Sequence, residues 1–161
     1  MTELTHRERL DQDLYLTLNK LAVLLDDFDR RLFASSGLSG RQFWALAHLD
    51  ERHGRPMAEL ARLLLTDKSN VTGIVDHLEG AGLAVRTPSP QDRRVTLIVL
   101  TDAGRHLRDR LHDGHRTVLG EVLARVEGQQ AQRALAALTL VQASLEDYLT
   151  REPQPAARRL A

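Results

Sequence analysis

A chain of 161 residues has the length of one domain and can bury a sizeable core. Hydrophobic residues make up 42% and charged residues 27%, which excludes a disordered chain, and 22 basic against 22 acidic side chains leave no net charge. The lack of cysteine excludes disulfides, thiolate chemistry and a thiol redox sensor.

The elements can be read in chain order. Apolar residues recur at spacings of three and four from Leu10 through Leu14, Leu18, Leu21, Leu25 and Phe28 to Leu32, which predicts an amphipathic helix ended by Ser35-Ser36-Gly37. Ser39 is placed to cap a second helix carrying Phe43, Trp44, Leu46, Ala47 and Leu49, with His53-Gly54 as its stop. Pro56 suits the first turn of a short third helix whose buried face is Leu60, Ala61 and Leu64. After a break at Leu65-Thr66, Asp67 caps a fourth helix from Lys68 to about Glu79, with Val71, Ile74, Val75 and Leu78 inward and Gly80 or Gly82 as its stop. The β-branched runs LAVRT (83–87) and VTLIVL (95–100), separated by a turn with Pro88 and Pro90, predict two antiparallel strands. Thr101 or Asp102 starts a long fifth helix through Leu107, Leu111, Val118, Val122 and Val126, weakened or bent at Gly114, Gly120 and Gly128. A last helix runs from about Gln130 to Leu149, and the tail 151–161 is expected to fray.

Two short helices joined by a tight turn and followed by a β-hairpin make a winged helix-turn-helix. Ala61 is small enough for the two helices to approach closely, and Val71 and Ile74 pack back on the first of them. Lys68, Ser69, Asn70, Thr72 and Gly73 are left on or near the outer face of the second, where such a helix meets base edges in the major groove. Short hydroxyl and amide side chains and a lysine can reach base edges and phosphates there. They also favour helix starts for purely local reasons, so the same residues are compatible with a solvated cap. Leu65 stands where such turns often carry glycine. A leucine at positive φ costs about 1 kcal/mol, so a differently shaped turn is expected. The tip of the hairpin, residues 86–94, holds Arg86, Arg93 and Arg94 against Asp92 alone, a local positive patch within a neutral chain.

The run from Pro56 to Leu107, with ELA, then LEGAGL, then VRTPSPQDRR, then LTDAG, resembles the MarR family of bacterial transcriptional regulators. The match is close over about 38–107, and the helices on either side fit by order and length. The resemblance implies a mainly α fold: a winged helix-turn-helix lobe (38–101) with a small β-hairpin wing, and a helical dimerisation region (8–34 and 102–150), within one domain spanning 1–161. It implies a homodimer that binds double-stranded DNA at an inverted repeat, acts as a repressor and is released by a small, in many members aromatic, anion. Asp92 would hold Arg94 by a charge-assisted bond, and Arg93 or Arg94 would enter the minor groove. Trp44 and His48, one turn apart on the second helix, would line the effector cavity; as readily, Trp44 is core and His48 a satisfied histidine.

Other function classes are weaker. A metal-responsive regulator of the same fold would use His106, His112 and His115 with Asp109 and Asp113, but helix-surface histidines are commoner than sites and no HExxH pattern is present. No P-loop, GxGxxG or GxSxG motif points to an enzyme or a nucleotide cofactor. A helical interaction module without DNA binding leaves the arginine pair at the wing unexplained. The polar start MTELTHRERLDQD is not a signal peptide and no window has membrane-spanning length, so a cytoplasmic protein with no membrane partner is expected.

Overall fold

The computed structural model describes residues 5–49 and 53–151. The element order is α1 (His6–Phe33), a 3-10 turn (Ala34–Ser36), α2 (Gly40–His48), β1 (Arg55–Pro56), α3 (Met57–Leu63), α4 (Lys68–Gly80), β2 (Ala84–Pro88), β3 (Thr96–Leu100), α5 (Asp102–Leu123) and α6 (Gly128–Thr150). Two compact units emerge, divided between Arg116 and Thr117. The predicted fraying of 151–161 concerns residues that, after Arg151, lie outside those described.

The first unit holds the core. Leu46 of α2, Leu49 just after it, Leu60 of α3, Val71, Val75 and Leu78 of α4, Ala84 of β2 and Ile98 and Leu100 of β3 pack into one buried cluster. Ile74, expected inward, is only half-buried at its edge. Phe33 and Phe43 stack with ring centroids 4.0 Å apart and join α1 to α2.

Local capping places the helix starts as read. The Ser39 hydroxyl accepts from the Gln42 amide while the Gln42 side chain accepts from the Ser39 amide, a reciprocal capping box. Asp67 accepts from the Asn70 amide at 2.8 Å. Thr101 starts α5 by accepting from the Gly104 amide at 3.0 Å, and its own hydroxyl donates to the Gly82 carbonyl at 2.7 Å. A Cβ at Gly104 would stand 1.9 Å from the Leu83 carbonyl oxygen. The GAGL and LTDAG segments are therefore two sides of one close backbone contact.

Several expectations need correction. The sheet has three strands in the order β1-β3-β2, because Arg55 and Pro56 pair with Ile98 and Leu97. Two residues carry no periodicity, and proline fits only such an edge position. Pro56 accordingly precedes α3 rather than standing in its first turn. The second helix ends at His48, ahead of His53-Gly54. Gly54, at φ +69°, instead lets the chain enter β1 against β3, where a Cβ would sit 2.7 Å from Val99 Cγ2. The fifth helix stops at Leu123, short of Val126, and Gly128 opens α6 rather than bending α5.

The turn after α3 also differs from expectation. Leu65 takes φ +47°, the only positive φ of a non-glycine residue among those described. Its amide donates to the Arg62 carbonyl at 3.2 Å, and the Thr66 amide to the Ala61 carbonyl at 3.1 Å. This is a Schellman closure with leucine where glycine is usual. The end of α4 closes the same way with glycine: Gly82 donates to Glu79 and Leu83 to Leu78, both at 2.9 Å. This closure needs a left-handed residue at that position whatever the side chain, and Leu65 keeps its side chain 78% exposed.

The second unit contains α6, opened by a capping box between Glu127 and Gln130. Leu135, Leu138, Leu140, Leu145 and Leu149 are exposed along it. In the first unit α1 likewise exposes Leu10, Leu14, Leu21, Leu24 and Leu25. No helix among the described residues is long and apolar enough to cross a membrane.

Candidate nucleic-acid interface

The outer face of α4 begins at its cap. Lys68, Ser69, Asn70, Thr72 and Gly73 are all exposed, as the helix phase requires once Val71 and Val75 are buried. Their bonding is largely internal. Ser69 Oγ donates to Asp67 Oδ1 at 2.6 Å, Asn70 Nδ2 to Asp67 Oδ2 at 3.1 Å and to Thr66 Oγ1 at 3.2 Å, and Thr72 Oγ1 to the Lys68 carbonyl at 2.9 Å. The Ser69 hydroxyl first, then the Asn70 amide, hold the Asp67 carboxyl below its ordinary value. The cap network thus fixes these side chains in place while leaving hydroxyl and amide oxygens open as acceptors. Gly73 has no atom within 4 Å of where a Cβ would be. No packing contact explains a glycine there, although it weakens a helix interior.

The hairpin is anchored to α4 by Arg86, the first of the three arginines in the basic stretch 86–94. Arg86 on β2 reaches Asp76 at 2.6 Å and also pairs with Glu79, whose Oε1 accepts from the Arg86 amide at 2.9 Å. The Asp76 bond is the main reason its pKa is raised. Arg86 is therefore spent on holding the wing to the helix and adds no free charge to the tip. Its partners lie seven and ten positions away, so no local pattern signals the bridge.

Beyond Pro88 the tip is a built loop. The Ser89 amide donates to the Val95 carbonyl at 2.8 Å and the Val95 amide to the Asp92 carbonyl at 2.9 Å. Ser89 is buried, and its hydroxyl donates to Gln91 Oε1 at 2.8 Å while accepting from the Gln91 amide at 3.3 Å. Asp92 Oδ1 accepts from the backbone amide of Arg94 at 2.9 Å. The expected charge-assisted bond thus falls on the Arg94 main chain. Asp92 shapes the turn, and among the described residues no carboxylate engages the guanidinium groups of Arg93 and Arg94, both exposed.

Trp44 and His48 go to different neighbours. The Trp44 indole N–H donates to Asp29 Oδ2 of α1 at 2.8 Å, and its ring meets His115 of α5 edge-on with centroids 5.2 Å apart. Phe28, Phe33 and Phe43 complete this aromatic group. His48 is the last residue of α2, and its carbonyl accepts from Arg55 Nε at 2.5 Å. Burial, then the Arg55 charge, lowers its pKa. The histidines considered for a metal are also dispersed: His115 is in the aromatic group and His106 Nδ1 bonds the Asp102 carbonyl at 2.7 Å. Among the described residues, no three histidine or acidic side chains come together as a metal site.

Comparison with known proteins places this lobe. The model of the MarR family matches residues 36–95. The transcriptional activatory protein BadR of Rhodopseudomonas palustris is 31% identical over 114 residues, covering 68% of this chain and 65% of BadR, so the chain spans just under two thirds of that relative. The transcriptional regulator PapX of Escherichia coli is 32% identical, covering 72% of this chain and 70% of PapX. Among solved structures, the transcriptional repressor CouR bound to a 23-mer DNA duplex is 31% identical, with a TM-score of 0.71 over 88% of this chain and 99% of that one. CouR from Rhodococcus jostii RHA1 has also been solved with p-coumaroyl-CoA, at 26% identity and a TM-score of 0.72 over 82% of this chain and 93% of that one.

Proposed function

The chain belongs to the MarR family of transcriptional regulators, and on that premise we propose that it is a homodimeric repressor that binds an inverted-repeat operator and leaves it when a small aromatic ligand binds. Each protomer sets the outer face of α4 (Lys68, Ser69, Asn70, Thr72 and Gly73) in a major groove and Arg93 and Arg94 in the adjacent minor groove, with Asp92 holding the turn that presents them. The observation that carries this is the Arg86 bridge to Asp76 and Glu79. It locks the wing to the recognition helix, so that both address one duplex as a rigid pair while the tip guanidiniums stay uncommitted. Homodimerisation is supported by the exposed leucines of α1 and of α6, which as apolar stripes call for a partner surface. The repressor sign and the ligand class rest on CouR, a repressor solved with an aromatic thioester.

Selection from a random duplex pool tests the proposal. The expected product is an inverted repeat with half-sites one helical turn apart, about 34–36 Å, bound by a species that sediments as a dimer. A monomer at micromolar concentration, or no enrichment, refutes it. For the ligand, salicylate is the probe. The aromatic group around Trp44, the only tryptophan, should report binding by quenching over the same concentration range that releases DNA. Release without a fluorescence change puts the ligand elsewhere.

A further inference from the structure

Two arginines outside both the recognition face and the wing converge on the start of α4. Arg41, in the first turn of α2, and Arg62, near the end of α3, line an open cleft of about 700 Å³ together with Leu65, Thr66, Asp67 and Asn70. Arg41 and Asn70 also line the adjoining cleft with Ser39 and Ile74. Apart from the tip pair Arg93 and Arg94, the other arginines of this lobe behave differently. Arg55 is paired with Glu59, and Arg86 with Asp76 and Glu79. Among the described residues, no carboxylate or carbonyl engages Arg41 or Arg62, and both are exposed.

The position of Arg41 is electrostatically poor for the free protein. The first turn of a helix is its positive end and favours acidic side chains. That turn of α2 has no acidic residue, and that of α4, which begins with Lys68, has none either. Two arginines and two helix starts therefore meet around one shallow cleft. Its single carboxylate, Asp67, is committed to Ser69 and Asn70. Thr66 Oγ1 accepts from Asn70 and keeps its own hydrogen for an outside acceptor. An anion in this place satisfies every one of these groups.

We propose that Arg41 and Arg62 each hold a phosphate of the DNA backbone, making the α2–α3–α4 cleft the seat that sets the depth and register of α4 in the major groove. This rests on the DNA-binding reading above and extends it to two residues on separate helices. Backbone contacts of this kind position a protein without reading sequence. Their loss should therefore weaken binding to all duplexes alike.

The test is fluorescence anisotropy with the duplex enriched from the random pool and with mixed-sequence DNA, repeated across salt concentrations. Arg41→Ala and Arg62→Ala should each lower the slope of log affinity against log salt by about 1, and the double variant by about 2. The loss should be the same fold for both DNAs, leaving the specificity ratio unchanged. Arg41→Lys and Arg62→Lys should keep the slope, and unchanged melting curves certify that the alanine variants are folded. Arg110→Ala, which removes an exposed charge on α5, is the control and should leave the slope as it is. An unchanged slope in the Arg41 and Arg62 variants, or an equal drop in the Arg110 variant, overturns the seat while leaving the DNA-binding reading intact. Failure of the wild-type chain to bind any duplex overturns the reading itself.

Discussion

Replacing Gly73 with alanine sets helix stability against DNA binding. The residue lies in the second turn of α4, and an added Cβ meets no atom within 4 Å. In the free protein the substitution should therefore be purely favourable. Alanine is better than glycine in a helix interior by about 0.8–1.0 kcal/mol, chiefly because glycine loses more backbone freedom on folding. For a chain of this size that raises the melting temperature by about 2–4 °C, measured at fixed protein concentration because the species is proposed to be a dimer. Against DNA the sign reverses. If the outer face of α4 lies on base edges, the methyl group holds it off, with a cost of about 1–3 kcal/mol, comparable to one mismatched base pair. Affinity then falls by roughly 5–150-fold for that energy range. Melting curves and anisotropy on one preparation measure both. A higher melting temperature with unchanged DNA affinity refutes the placement of Gly73 against the groove. A lower melting temperature refutes the open space around it.

Gly104→Ala should act in the opposite way on stability. Its Cβ would lie 1.9 Å from the Leu83 carbonyl oxygen, so α5 must move, at a cost of about 1–3 kcal/mol that a denaturant midpoint reads directly. Leu65→Gly should stabilise by about 1 kcal/mol, since the left-handed turn is kept and little burial is lost at a side chain 78% exposed; a drop in thermal stability contradicts the strain. Asp92→Ala should weaken DNA binding even though it removes a negative charge, because the bond that orients the Arg94 backbone is lost; tighter binding in the anisotropy assay rules out that role. The depressed pKa of Asp67 means that its cap stabilises α4 fully above the ordinary carboxylate value and is lost as pH falls through the lower folded value. The chemical shift of the Asn70 amide proton, followed by NMR, should therefore stay constant around neutral pH and move only as the pH falls below the ordinary carboxylate range.

Ser39, Asp67 and Thr101 were legible as helix starts because a cap is a bond between residues two or three apart, and the three helices begin where those side chains stand. The β-branched runs marked the hairpin, and the polar face of α4 followed from the spacing of Val71, Val75 and Leu78. The rest depended on groups that meet only after the chain has folded. A two-residue strand exists solely through its pairing with β3, so Arg55 and Pro56 carried no sign of it. The left-handed turn at Leu65 goes with the bonds that close α3 onto the start of α4, against the preference of the residue itself. Arg86 and Arg94 are the same residue type in one hairpin, yet the carboxylates of α4 take up the charge of the first, and among the described residues none takes up that of the second. Likewise Arg41 is an ordinary polar position in α2 until α3 and α4 bring Arg62 and Asn70 beside it. Local bonds and side-chain periodicity are written in neighbouring letters, whereas the division of charges into spent and available is an outcome of long-range packing, and it is that division which marks the surface for DNA.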